Sequence, residues 1–146
     1  MAAEYSFVQS QIVAVDDNII FNNGCRSCKK GLISHRDDSG IFFLKGASQG
    51  CKAVYRVAFV ANVAVAPAAD GGVLEPVSVA LAINGETLGN ATAVVTPAAI
   101  GDAFNVSLTT FIEILCSCCV TVSVENTSAT TAIEVTNANV IFDRVA

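Results

Sequence analysis

The chain has 146 residues, 14% charged and 53% hydrophobic, with a net charge of −5 and eight basic residues. That length suits one domain with its own core, while the sparse, dispersed basic residues exclude a phosphate-neutralising stripe and hence direct nucleic-acid binding. No apolar run reaches the ~20 residues of a membrane helix, and MAAEYSFVQSQIV has no basic-then-apolar leader, so no membrane partner and no secretory signal are expected.

In chain order, Tyr5 to Val15 reads as the first strand, broken at Asp16-Asp17-Asn18, with Ile19 to Phe21 following before a turn at Asn22-Asn23-Gly24. Gly31 to Arg36 and Ile41 to Leu44 flank Asp37-Asp38-Ser39-Gly40 as a hairpin. Lys52 to Val65 is the longest strand: Tyr55, Val57 and Phe59 point one way, Arg56, Ala58 and Val60 the other. After the PAADGG loop (Pro67 to Gly72), Val77, Val79, Leu81 and Ile83 alternate with Ser78, Ala80 and Ala82. Asn84-Gly85 ends that run as a tight turn. Ala91 to Val95, Phe104 to Leu115, Cys119 to Glu125, Ile133 to Val135 and Ala138 to Val145 complete the series. The Pro67–Gly72, Asn84–Asn90 and Asn126–Thr131 loops are expected to face solvent.

Helical apolar spacing is nearly absent, so roughly eight to ten antiparallel strands form a single all-β domain over 1–146. Long connections at Pro67–Pro76 and Thr96–Asp102 let strands cross between sheets, which favours a jelly-roll β-sandwich over a meander barrel. The strands of 1–24 are a possible anchoring segment. A soluble chain this poor in charge is expected to cover apolar outer surface against copies of itself.

The run of motifs also carries a likeness. YxVxF (Tyr55, Val57, Phe59) is followed by VALAINGETL, TPAAIGDAFNVS, VTVSVENTS and a terminal NANVIFDRV. In that order they resemble the trimeric jelly rolls of the tumour-necrosis-factor and complement type, over about Lys52 to Val145. Within that type, they are similar to the domains at the tip of exosporium collagen-like glycoproteins. MAAEY, GLISHRDDSG and TPAAIGDAFNV also resemble small proteins encoded among virion genes of phages infecting gut Firmicutes. The resemblance implies a homotrimeric head-decoration or head-fibre subunit, made in the host cytoplasm and carried on the virion surface. Its partners would be the major capsid protein or another virion protein, and host surface glycans. A spore or cell-surface adhesive tip and a carbohydrate-binding jelly roll are the alternatives. In such trimers the strands corresponding to Phe104–Leu115 and the last one line the threefold axis. Phe111, Leu115 and Ile141 are therefore the candidate interface, with Arg56 pairing Glu113 or Asp143 across it.

Six cysteines stand out: Cys25-x-x-Cys28, Cys51 and Cys116-Ser-Cys118-Cys119. Disulfides, a structural zinc or free thiols could each account for them; disulfides are favoured, and the pairing is left open by sequence. His35 is the sole histidine and reads as a solvated or packed residue near a turn rather than as part of a nucleophilic site. Asp16-Asp17 and Asp37-Asp38 lack the DxDxDG spacing of a calcium loop and read as turn residues. Asn90, Asn105 and Asn126 begin chance-level glycosylation sequons. No catalytic constellation and no cofactor is expected. The chain reads as a structural protein, not an enzyme.

Overall fold

The computed structural model describes residues 2–22, 33–36, 38–46, 52–115 and 119–145. Ten strands are formed there: β1 (Ala2–Phe7), β2 (Gln11–Val13), β3 (Ile33–His35), β4 (Phe42–Lys45), β5 (Ala53–Val65), β6 (Val77–Ile83), β7 (Glu86–Val95), β8 (Phe104–Ile114), β9 (Cys119–Asn126) and β10 (Ile133–Arg144). They pair antiparallel in two sheets. One is ordered β1-β10-β5-β8, with β2 also on β10; the other is β3-β4-β9-β6-β7. From β4 onward, every connection except the β6–β7 hairpin crosses between sheets. This crossing defines the jelly-roll sandwich.

Local chemistry explains the places where strands break. Asn84 (φ 52°) and Gly85 (φ 86°) both take the left-handed conformation of a two-residue type I′ turn, so pairing starts at once with Ile83 opposite Glu86. The strand expected at Ala91–Val95 is thereby the end of a longer one. Asn137 (φ 53°) bulges β10, and the two last expected strands are a single strand bent at that point. The bend also divides the first expected strand. β1 pairs with Ala138–Asp143 and β2 with Ile133–Val135, while the Asn137 N–H donates to Val8 O at 3.2 Å between them. Ile19–Phe21 forms no regular strand; it is held by bridges of Asn18 with Glu125 and Phe21 with Ser39. Residues 2–22 are thus woven into both sheets and supply Tyr5, Val13, Ile19 and Phe21 to the core. The PAADGG loop contains a short 3-10 turn, Ala68–Asp70. Gly72 belongs to its exit, where a Cβ would collide with Ala66 O.

The core lies between the sheets and centres on Phe42. Its ring stands 4.7 Å from Phe142, 4.9 Å from Tyr5 and 5.4 Å from Phe21, all tilted, with Phe21 edge-on to Phe59 at 6.3 Å. Tyr55 is also buried, and its hydroxyl donates to Lys45 O at 2.7 Å, joining β5 of one sheet to β4 of the other. Burial raises both tyrosine pKa values, an effect that Arg144 partly opposes at Tyr55.

Phe42 and Phe43 are neighbours on opposite sides of β4, one buried and one exposed. Phe42→Ala should cost about 3–5 kcal/mol by cavity formation, and Phe43→Ala less than about 1 kcal/mol; denaturant unfolding of both variants reads the difference.

Candidate functional site

The surface that distinguishes this sandwich is the outer face of the β1-β10-β5-β8 sheet. Strand alternation places Phe111 and Glu113 outward from β8, with Leu115 exposed just past its end, Arg56, Ala58 and Val60 from β5, and Ile141 and Asp143 from β10. Register sets them in rows. Phe111, Arg56 and Asp143 are opposite one another, and the next row is Thr109, Ala58, Ile141 and Glu4. Ser107, Val60, Asn139 and Ser6 form a third row. Phe111 and Leu115 are each 65% exposed, unusual for large apolar side chains on a folded surface.

All five residues expected at an assembly interface therefore share one end of one face. Their charges pair differently from the expectation of contacts between subunits. Arg56 Nη2 donates to Asp143 Oδ2 at 3.1 Å within the same chain. Glu113 is engaged by Lys52, 3.0 Å away. Lys52 was missed in the sequence because β5–β8 register, which brings the start of one strand to the end of the other, is not visible in either strand alone. Farther along, Asn105 Nδ2 donates to Asn62 Oδ1 at 3.3 Å, continuing the face as a polar strip.

The other candidates resolve into structure rather than chemistry. His35 Nε2 lies 2.8 Å from Ser39 O and donates to it, while the ring stacks on Phe42 at 4.3 Å. Its Nδ1 is buried and has no hydrogen-bond partner among the described residues. Asp16 takes φ 66° and Asp38 φ 60°, as turn residues do; Asp37 lies outside the described residues. Burial, then the charge of Asp16, raises the pKa of Glu125. Among the described residues no group of three or more His, Cys, Asp or Glu is placed to hold a metal ion. Cys119 begins β9 opposite Lys45 and is exposed, with no disulfide partner among the described residues. Cys25, Cys28, Cys51, Cys116 and Cys118 lie outside the described residues.

One loop expectation is overturned. Asn126–Thr131 does not face solvent as a whole: Asn126 and Thr131 are both 0% exposed and Ser128 is buried. The Asn126 amide donates to Val13 O and Thr131 O, both at 3.0 Å, and its Oδ1 accepts from the Ser128 N–H at 3.1 Å. These contacts satisfy backbone groups where β2, β9 and β10 converge, which pulls a polar turn inward. They also leave the Asn126 amide of that sequon buried in the folded chain. From outside, Glu75 accepts from the Thr130 N–H at 2.7 Å, the Thr130 hydroxyl at 3.0 Å and the Thr131 N–H. Hydrogen bonding, led by the Thr130 N–H, holds its carboxyl below the usual range against a smaller opposing effect of desolvation.

No family model matches this chain, and no curated protein matches it. Among solved structures it is similar to the globular domain of zebrafish complement 1qA protein, at 13% identity and a TM-score of 0.62, covering 99% of this chain and 94% of that one. It is also similar to Eiger TNF from S. frugiperda, at 12% identity and a TM-score of 0.67, covering 100% of this chain and 92% of that one. The fold is the jelly roll of the tumour-necrosis-factor and complement type. At these identities the likeness belongs to the backbone fold alone.

Two outcomes follow from the inward turn. Asn126→Ala should cost at least about 2 kcal/mol, because it strands buried carbonyls and an N–H, as urea unfolding would report. Since folding lowers the Glu75 pKa, its support is complete above the unfolded value of about 4.3 and is lost as pH falls through the lower folded value. Glu75→Gln should thus lower Tm at neutral pH, and its gap to the parent should close in acid.

Proposed function

We propose that the chain is a structural subunit that assembles as a homotrimer through the outer face of the β1-β10-β5-β8 sheet. The observation that carries this reading is the set of exposed Phe111, Leu115 and Val60, with half-buried Ile141, on one broad sheet surface, in a chain with few charges to keep such a surface wet. Covering Phe111 and Leu115 alone would stabilise an assembly by a few kcal/mol per contact, at about 25 cal/mol per Å² of apolar area. The same backbone fold in the globular domain of a complement protein and in a TNF supports an interaction module over an enzyme.

The finer part of the proposal is that this trimer decorates the outside of a phage capsid or forms a head fibre. Its support is the sequence likeness carried by MAAEY, GLISHRDDSG and TPAAIGDAFNV. The mechanism is mechanical: one face trimerises, leaving the two ends of each sandwich available. β5 ends at Val65 beside the exposed Pro67–Gly71 loop, and β6 runs back to the exposed Asn84–Gly85 turn at the opposite end. One end contacts the capsid protein, and the other meets solvent or host glycans. The N-terminal strands act in anchoring as part of the sandwich rather than as a loose arm.

Light scattering should return a mass of three subunits. Phe111→Glu should reduce it to one, with the β-type circular dichroism spectrum kept. A parent protein that runs as one subunit at micromolar concentration would remove the proposal. Mass spectrometry of purified virions should find the chain's peptides; their absence would remove the capsid role while leaving the trimer.

A further inference from the structure

Among the described residues β8 is an edge strand, laddered to β5 alone. That ladder runs without a shift from Val63 opposite Phe104 to Ala53 opposite Ile114. In its last pair both side chains belong to the core, since Ala53 and Ile114 are buried. One residue farther on, the two chains still follow the alternation side by side. Lys52 and Leu115 are exposed, and Lys52 Nζ reaches Glu113 Oε2 at 3.0 Å. Cys51 directly precedes Lys52 and Cys116 directly follows Leu115; both lie outside the described residues.

We infer that Cys51 and Cys116 form a disulfide that staples the end of β8 to β5. Carried two positions past Ala53–Ile114, the same register sets Cys51 opposite Cys116 and opposite no other cysteine. The same alternation gives both of them the inward side shared with Ala53 and Ile114. Residues directly opposite on antiparallel strands have Cα atoms about 4.5–5.5 Å apart, within the roughly 4.4–6.8 Å that a disulfide spans. The remaining cysteines belong elsewhere: Cys119 begins β9 in the other sheet, opposite Lys45, with Cys118 adjoining it, and Cys25 and Cys28 precede β3. Forming the bond takes two electrons and two protons from the two thiols. A low-molecular-weight disulfide such as oxidised glutathione accepts them by exchange through a mixed disulfide and leaves as two thiols. The staple is therefore open in a reducing cytosol and closes when the chain meets an oxidising medium. It closes a loop of about 65 residues, so its stabilisation comes chiefly from constraining the unfolded chain. Neither the trimer nor the capsid role is needed for it.

The test is non-reducing peptide mapping of the full chain after equilibration with oxidised glutathione. It is run on the parent and on Cys118→Ser combined with Cys119→Ser, in which Cys116 is the one cysteine left beyond β8. In both proteins the peptide holding Cys51 should be linked to the peptide holding Cys116. Thermal melting then compares Cys51→Ala, Cys116→Ala and the two combined. Each single change should lower Tm by on the order of 10 °C, because the closed loop is lost. The combined change should lower it no further, and a reductant should bring the parent down to the variants. Cys51 or Cys116 bonded to any other cysteine would overturn the staple. So would both residues reacting as free thiols after equilibration, or single losses in Tm that add in the combined variant.

Discussion

Phe42 is the contact through which one sheet grips the other. It belongs to β4, yet its ring meets Tyr5 from β1, Phe142 from β10 and Phe21 from the bridged segment between. Around it the inner faces of both sheets are apolar almost without interruption, from Val57 and Phe59 on β5 to Leu81 on β6 and Val124 on β9. Stabilisation of this kind scales with apolar area removed from water and demands only that the two sheets face each other. Everything else in the molecule, including the exposed face and the inward polar turn, takes its position from that packing.

The constraint has a consequence for the surface. Side chains alternate along a strand, so committing Tyr55, Val57 and Phe59 to the core commits Arg56, Ala58 and Val60 to the outside. On the β3-β4-β9-β6-β7 sheet much of the outer side is polar or small, with Thr121, Ser123 and Glu125 on β9 and Ala80 and Ala82 on β6. On the other sheet the exposed Phe111 and Leu115 share one end with the Lys52–Glu113 and Arg56–Asp143 pairs, and the other end carries the uncharged amides of Asn62 and Asn105. Exposed large apolar side chains on such a face are suited to association, while the amide end stays wet. The proposed trimer is built on those exposed apolar side chains, and the proposed role on a capsid adds the sequence likeness to them.

The polar corner at Asn126 works differently. Sheets that meet at an end leave carbonyls and N–H groups with no ladder to join, and an unpaired buried group is costly. Asn126 supplies two donors and an acceptor to three such groups, while Glu75 fastens the neighbouring Thr130 and Thr131. In the sequence, NTSATT has the composition of a solvent-facing turn. Its burial became apparent only with the strands that converge on it.

Alternation and turn chemistry were enough to determine an all-β chain, the crossing of strands between two sheets, the Asn84-Gly85 turn and the sides of β5, β6 and β8 that face inward. These features are local: a period of two and a preference for positive φ are written into consecutive residues. The partners of Arg56 and Glu113, the merging of the last two expected strands around Asn137, and the burial of Asn126 were decided by tertiary structure. Each depends on register or convergence between segments dozens of residues apart, and residues that distant leave no mark on each other's local pattern.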